Sequence, residues 1–366
     1  MSPVLHTVAV LAGLILVAAT LMSEIHTFVV PRAAQTRIPR FVFLAMRYLF
    51  RAIGWRSRTY EGTDRLFALY APISLLVLPV VWMTMVATAY TVVYWGLSVG
   101  SWRAALETSG SSVFTLGFQH PQGLAATLVC FSEAGLGVGL LALLITYLPT
   151  MYASFQRRER MVAHLDVRAG TPPSAVVMLI RYNTIDRLDR IEALWEAWED
   201  WFIDIEESHT SFAALPFFRS PQPNRSWVTA AGAMLDAAAL YNSALDVPRS
   251  GQAQLTLRAG FISLRRIGDF FQIPYDPDPS PTDPIAVSRQ EVDEVLDRLE
   301  AGGLPVKSDR DQVWADFAGW RVNYDAVLLG LAALTIAPIA PWSSDRSPPF
   351  HRPPVTRWGR RRASVD

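Results

Sequence analysis

Three stretches of the chain, residues 4–23, 66–98 and 124–148, are apolar for about one bilayer thickness, and the charged positions around them fall in the connecting segments. A hydrocarbon core of roughly 30 Å takes about 20 helical residues, so the pattern predicts three transmembrane helices. The middle run is longer than one untilted span needs at about 1.5 Å per residue, and Pro72 and Pro79 predict a kinked start near the interface. The third run begins after Pro121 and Gly123 and is expected to stop at Pro149. No small-residue cleavage site follows the first run, which therefore reads as a retained span.

From residue 151 onward apolar and charged positions alternate in the manner of soluble helices. Thr184 precedes a predicted helix of about 24 residues, in which Leu188, Ile191, Trp195, Trp198, Phe202 and Ile205 form an apolar seam. Glu192, Glu196, Glu199, Asp200 and Asp204 lie opposite it. Tryptophan is bulky for a coiled-coil seam, so the helix is assigned to a bundle core. Further helices are predicted over 226–246, 254–272, 288–301 and 311–336, with Ser288 and Glu291 as a capping box. The apolar run Ala326–Ala337 is too short to span and is expected to be buried. Residues 274–284 alternate proline with aspartate and read as a solvated linker. The fold class that results is an all-α membrane protein. Residues 1–150 form a transmembrane domain, 151–345 a helical domain, and 346–366 a basic, disordered tail.

Charge placement orients this arrangement. Arg32, Arg37, Arg40, Arg47, Arg51, Arg56, Arg58 and Arg65 lie between the first two runs, and Arg157, Arg158 and Arg160 follow the third, whereas the segment between the second and third carries only Arg103. Positive residues gather on the cytoplasmic side. The N-terminus is thus expected outside and the helical domain in the cytoplasm of a multi-pass plasma-membrane protein. Arg40, Arg47 and Arg51 share one helical face, with Phe41, Phe43, Leu44, Leu49 and Phe50 elsewhere around it. The segment reads either as a helix at the inner leaflet, with apolar side chains in lipid and guanidinium groups near phosphates, or as a plain basic connector. The zero formal net charge gives no global field for nucleic acid, and with Cys130 as the only cysteine no intrachain disulfide forms.

Residues 101–121 connect the second and third runs. Ser101 is placed to cap a short helix through about Ser112, after which Val113-Phe114-Thr115-Leu116-Gly117-Phe118 would return towards the outside. Irregular backbone at membrane depth persists only where protein or water satisfies its polar groups. Over residues 66–150 the chain resembles the potassium-channel superfamily: an outer helix, a pore helix, a filter of the type T-V-G-Y-G at Thr115, Leu116, Gly117 and Phe118, and an inner helix with glycines at hinge distance, Gly135, Gly137 and Gly139. The resemblance implies a homotetramer in which four sets of backbone carbonyls replace the water around a permeant monovalent cation. It also implies Leu116 and Phe118 packed behind the filter and a Thr115 hydroxyl ring at its inner mouth. Gln119 and His120 stand where the family has its second filter glycine and an aspartate, so potassium selectivity does not follow. His120 is either a titratable group at the outer mouth or an ordinary loop histidine. Glu133, an ionisable residue inside the third run, is expected to face a water-filled cavity or, alternatively, to hydrogen-bond Ser132 or a neighbouring helix. The three glycines serve either as a hinge or for close packing.

No H-E-x-x-H, G-x-S-x-G or Walker string is present, and Gly135-Leu-Gly-Val-Gly lies within an apolar run that phosphate does not reach. Glu206, Glu207 and His209 occupy different helical faces. No catalytic residue, metal or cofactor is therefore assigned. Two functions fit the pattern: a cation channel, or a non-conducting, channel-like receptor or scaffold that anchors the helical domain.

Overall fold

The computed structural model describes residues 3–28, 30, 37–54 and 66–348. The expectations for Arg32, Arg56, Arg58, Arg65 and the tail beyond residue 348 lie outside them. The described residues form twelve α-helices and no β-strand, in two compact units, residues 1–157 with 207–223 and residues 158–206 with 224–366. Residues 207–223 thus group with the first unit, a division the chain's hydropathy does not mark.

Three helices of the first unit are long and apolar enough to cross a membrane: α1 (Pro3–Phe28), α3 (Tyr70–Gly96) and α5 (Leu124–Ala169). They lie where the hydropathy pattern put them, with one difference. α5 does not end at Pro149 but continues to Ala169. Proline removes one backbone donor, yet the following Met151–Ala169 segment is rich in good helix formers that carry the helix on. Between α1 and α3 lies α2 (Arg37–Gly54), and between α3 and α5 lies α4 (Trp102–Val113).

α1 and α3 pack antiparallel and close. A Cβ added to Gly13 would come within 2.8 Å of the Ala89 carbonyl oxygen, and one added to Gly96 within 2.9 Å of the His6 carbonyl oxygen. The His6 ring stacks on Trp95, and at the other end Trp82 Nε1 donates to Ser23 Oγ at 3.3 Å. Without a hydrophobic drive between helices in lipid, such small-residue contacts and interhelical hydrogen bonds hold spans together. α2 rests on the first half of α3. Its Val42 is buried in a cluster with Leu78, Trp82 and Leu140, Phe50 meets Phe67 and Tyr70, and the Tyr70 hydroxyl donates to the Phe43 carbonyl.

The helices of the second unit are α6 (Ala175–Thr184), α7 (Glu192–Ser211, whose residues 207–211 group with the first unit), α8 (Trp227–Ala244), α9 (Gly251–Phe270), α10 (Arg289–Ala301), α11 (Arg310–Arg321) and α12 (Asp325–Thr335). α7 begins later than its apolar seam predicts, after a 3-10 turn at Leu188–Arg190. The seam itself is core: Ile191, Trp195, Trp198, Phe202 and Ile205 are fully buried. α8 is buried along its whole length, as an alanine-rich helix at the centre of a bundle must be. Lys307, the only lysine, donates to the Asn242 and Ser243 carbonyls at its C-terminal end, at 3.0 and 2.9 Å.

The single helix expected over 311–336 is two. The Asn323 amide donates to the Gly319 and Trp320 carbonyls, closing α11, and the chain turns so that Tyr324 and Asp325 point into the core beside Arg321. α12, the short apolar helix, is largely buried as expected. The proline–aspartate segment 274–284 has no helix.

The capping box of α10 forms as the sequence requires, with the Ser288 amide donating to Glu291 Oε2 at 2.8 Å. Arg346 Nη2 donates to the other carboxylate oxygen, also at 2.8 Å. Burial alone would raise the Glu291 pKa, but the bonds from Arg346 and Ser288 outweigh it and hold the group at about 2. A depressed folded value means that the contribution to stability is complete above the ordinary glutamate range and is lost as pH falls from about 4.3 towards 2. Denaturant unfolding followed across that window is expected to show a shallower loss of stability in Glu291→Gln than in the wild type. Equal slopes would mean that the capping carboxylate does not couple to folding.

Candidate functional site

α4 is held between the two apolar helices that flank it in sequence. Ser101 caps it, its side chain accepting from the Ala104 amide at 3.2 Å, as predicted. Its far end is tied to both neighbours. The Ser109 hydroxyl lies 2.9 Å from the Ala87 carbonyl of α3, and the Ser112 hydroxyl donates to the Cys130 carbonyl of α5 at 2.9 Å. The carbonyl of Val113 rests against Gly137 so closely that no Cβ fits there. Gly137 is thirteen residues into α5, about 20 Å at 1.5 Å per residue. Of the three glycines, Gly137 therefore serves packing. A Cβ at Gly135 or Gly139 would meet nothing, and the helix is unbroken through all three.

Beyond Val113 the backbone turns back on the end of α4. The amide of Thr115 donates to the Ser112 carbonyl at 2.9 Å, and those of Leu116 and Gly117 to the Ser111 carbonyl at 2.8 and 3.3 Å. Those of Phe118 and Gln119 donate to Ser111 Oγ at 3.0 and 3.1 Å. Five successive N–H groups thus converge on two serines. They can do so because the sign of φ alternates: negative at Phe114, +54° at Thr115, negative at Leu116, +71° at Gly117 and negative at Phe118. Such an alternation forms a concave nest of amides. In a planar trans peptide each carbonyl points opposite to the following N–H. The carbonyls of Phe114, Thr115, Leu116, Gly117 and Phe118 are therefore turned away from α4, towards the exposed side of the segment.

Gly117 takes a left-handed conformation that costs a glycine nothing, and the space around it is open, so its need is conformational. Thr115 is different. A β-branched residue with positive φ is a strained outlier, and such strain persists only where surrounding bonds over-determine it. At Gln119 the alternation stops: its φ is not positive. His120 is exposed. Leu116 and Phe118, expected to pack behind the filter, are 63% and 61% exposed among the described residues.

Of the two alternatives for Glu133, the hydrogen bond to a neighbouring helix is present. Glu133 is completely buried within the chain. Tyr94 of α3 donates to Oε2 at 2.9 Å, and Ser109 of α4 is bonded to Oε1. One turn along α3, the Tyr90 hydroxyl meets Ser132 Oγ at 2.9 Å. The Ser109 hydroxyl has one proton and two oxygens within reach, Ala87 O and Glu133 Oε1, so Ser109 couples the carboxyl to the α3 backbone. Glu133 is thus a clamp on three helices, the structural alternative to a cavity, reached through Tyr94 and Ser109 and not through Ser132.

Sequence reasoning singled out the filter string but missed its supports. Ser109, Ser111, Ser112 and Tyr94 carry the geometry. The visible signal was the Ser-Gly-Ser-Ser run at 109–112, hydroxyls placed at a helix end between two apolar runs, where each must find a partner in protein. No metal-ligating cluster occurs among the described residues. Comparison with protein-family models, with curated proteins and with solved structures finds no match for the chain.

Proposed function

We propose that this chain is a subunit of a homotetrameric, channel-like plasma-membrane protein, with its N-terminus outside and its helical unit cytoplasmic, that passes monovalent cations. In this reading α4 is a re-entrant pore helix, and the carbonyls of Phe114–Phe118, turned from four subunits to a common axis, take the place of the ion's hydration shell. The observation that carries it is the convergence of five consecutive amides on Ser111 and Ser112. That arrangement satisfies the segment's donors inside the protein and leaves a row of acceptors on the opposite face. Leu116 and Phe118 then pack against the neighbouring subunit. Ion flux needs no enzyme chemistry and no cofactor, and none is assigned to the chain.

The test is cation flux into liposomes, together with subunit counting in mild detergent. Gly117→Ala forces an alanine into the left-handed region at about 1–2 kcal/mol, and Ser111→Ala strands two amides at about 1–3 kcal/mol each. Both variants are expected to assemble as tetramers and to lose at least tenfold in flux. Wild-type tetramers that pass no cation would sink the proposal. A second reading, a non-conducting receptor or scaffold, draws on Gln119, where the alternation needed for a further carbonyl ring ends. A monomeric or dimeric native mass would favour it.

A further inference from the structure

α2 contains four arginines and no acidic residue. At 3.6 residues per turn its positions fall into three sectors. One, with Val42 and Phe50, is buried against α3. A second, with Phe41 and Tyr48, is apolar yet exposed, Phe41 by 72% and Tyr48 by 67%. Between these two runs the third, with Arg40, Arg47 and Arg51. Arg47 and Arg51 are one turn apart, and neither pairs with a carboxylate among the described residues. Arg47 is half-buried, and its pKa is lowered, first by that burial and then by repulsion from Arg51. Two guanidinium groups one turn apart, with no counter-charge among the described residues, form an incomplete arrangement. The missing component is an anion. Its source follows from the helix's place in the chain: α1 and α3 are antiparallel, so the end of one and the start of the other, which α2 joins, lie on the same side of the membrane.

We propose that Arg47 and Arg51 bind the phosphate of an acidic phospholipid whose acyl chains lie along Phe41 and Tyr48. Arginine's planar fork suits a phosphate held between two such groups. The neighbouring apolar sector supplies what a lipid offers and a soluble anion lacks. The inference rests on the membrane-spanning reading of α1 and α3 and is independent of conduction.

The full-length protein in phosphatidylcholine nanodiscs, titrated with phosphatidylglycerol and observed by native mass spectrometry, tests it. Each arginine near an anionic surface contributes about 1 kcal/mol, so Arg47→Gln or Arg51→Gln is expected to weaken acidic-lipid retention about fivefold and the pair about thirtyfold. Arg103→Gln, which removes an exposed arginine paired with Glu107 on α4, should leave it unchanged. R47K/R51K, which keeps the charge, should retain most of the preference and so separates binding from folding. Protein that is folded in phosphatidylcholine discs but shows no preference for the acidic lipid would overturn the site while leaving the membrane reading intact. The site is equally overturned if R47Q/R51Q keeps the wild-type preference, or if inorganic phosphate competes the lipid away at equal concentration.

Discussion

Glu133→Ala is expected to destabilise the first unit by about 2–4 kcal/mol and to abolish cation flux, whereas Glu133→Gln should cost about 1 kcal/mol or less and leave flux within about twofold of the wild type. The asymmetry follows from what the carboxyl touches. It receives the Tyr94 hydroxyl at 2.9 Å and is bonded to Ser109, and no part of it is exposed. Alanine leaves both hydroxyls without their partner and opens a void at the junction of α3, α4 and α5. Interhelical hydrogen bonds in membranes average somewhat under 1 kcal/mol, and the void adds the rest. Glutamine keeps the shape, still accepts from Tyr94 and offers Ser109 an amide. If Glu133 lined a cation cavity instead, losing its charge would change flux in Glu133→Gln as much as in Glu133→Ala. Thermal unfolding in detergent and liposome flux, measured on both variants, separate the two roles. Equal behaviour of the two variants in both assays would refute the clamp.

The partners of Glu133 show where sequence reading stops. The apolar runs locate α1, α3 and α5 because a span is specified by length and hydropathy alone. Ser101 and Ser288 mark their helix starts because a cap is a local device, settled within four residues. The seam Ile191–Ile205 is legible as core because burial follows the 3.6-residue period. None of these rules says which hydroxyl meets a buried acid. Glu133 lies 24 residues from Ser109 and 39 from Tyr94, and its partner is set by how three helices dock. The same limit hid the break at Val322–Tyr324. The residues there suit a helix, and what turns the chain after α11 is the pull of Arg321 and Tyr324 towards Asp236, 85 and 88 residues earlier. The Thr115–Phe118 string was legible as a loop between two apolar helices. Its backbone geometry was not, because alternating φ goes with hydrogen bonds to Ser111, and serine has no fixed role at a helix C-terminus.

Arg321→Met should produce the largest loss of stability in the second unit, about 3–5 kcal/mol. Arg321 is fully buried, and each face of its guanidinium group is used. Nε donates to Asp325 at 2.8 Å, Nη1 to Asp236 at 2.5 Å and Nη2 to the Trp342 carbonyl, while the group lies over the Tyr324 ring. Asp236 also accepts from the Tyr324 hydroxyl, and Asp325 from the Ala286 amide, both at 2.8 Å. One side chain therefore joins α8, α11, α12, the 286 loop and the segment after α12. Burial by itself would lower the pKa of Arg321; Asp236 and Asp325 outweigh that and keep the guanidinium charged. Removing the cation leaves two carboxylates buried with no counter-charge, and that penalty, rather than the lost attraction, dominates the effect. Two further variants separate these terms. Arg321→Lys keeps the charge but not the fork, so it cannot reach both carboxylates and the Trp342 carbonyl at once, and its loss should be intermediate. R321M/D236N/D325N removes the stranded charge and should recover part of what Arg321→Met loses. Denaturant unfolding monitored by tryptophan fluorescence reads all three, since Trp342 sits in the network and Trp195, Trp198 and Trp201 in the adjoining core. A midpoint for Arg321→Met that corresponds to within about 1 kcal/mol of wild type, or a triple variant less stable than the single one, would show that the unit is not organised around this arginine.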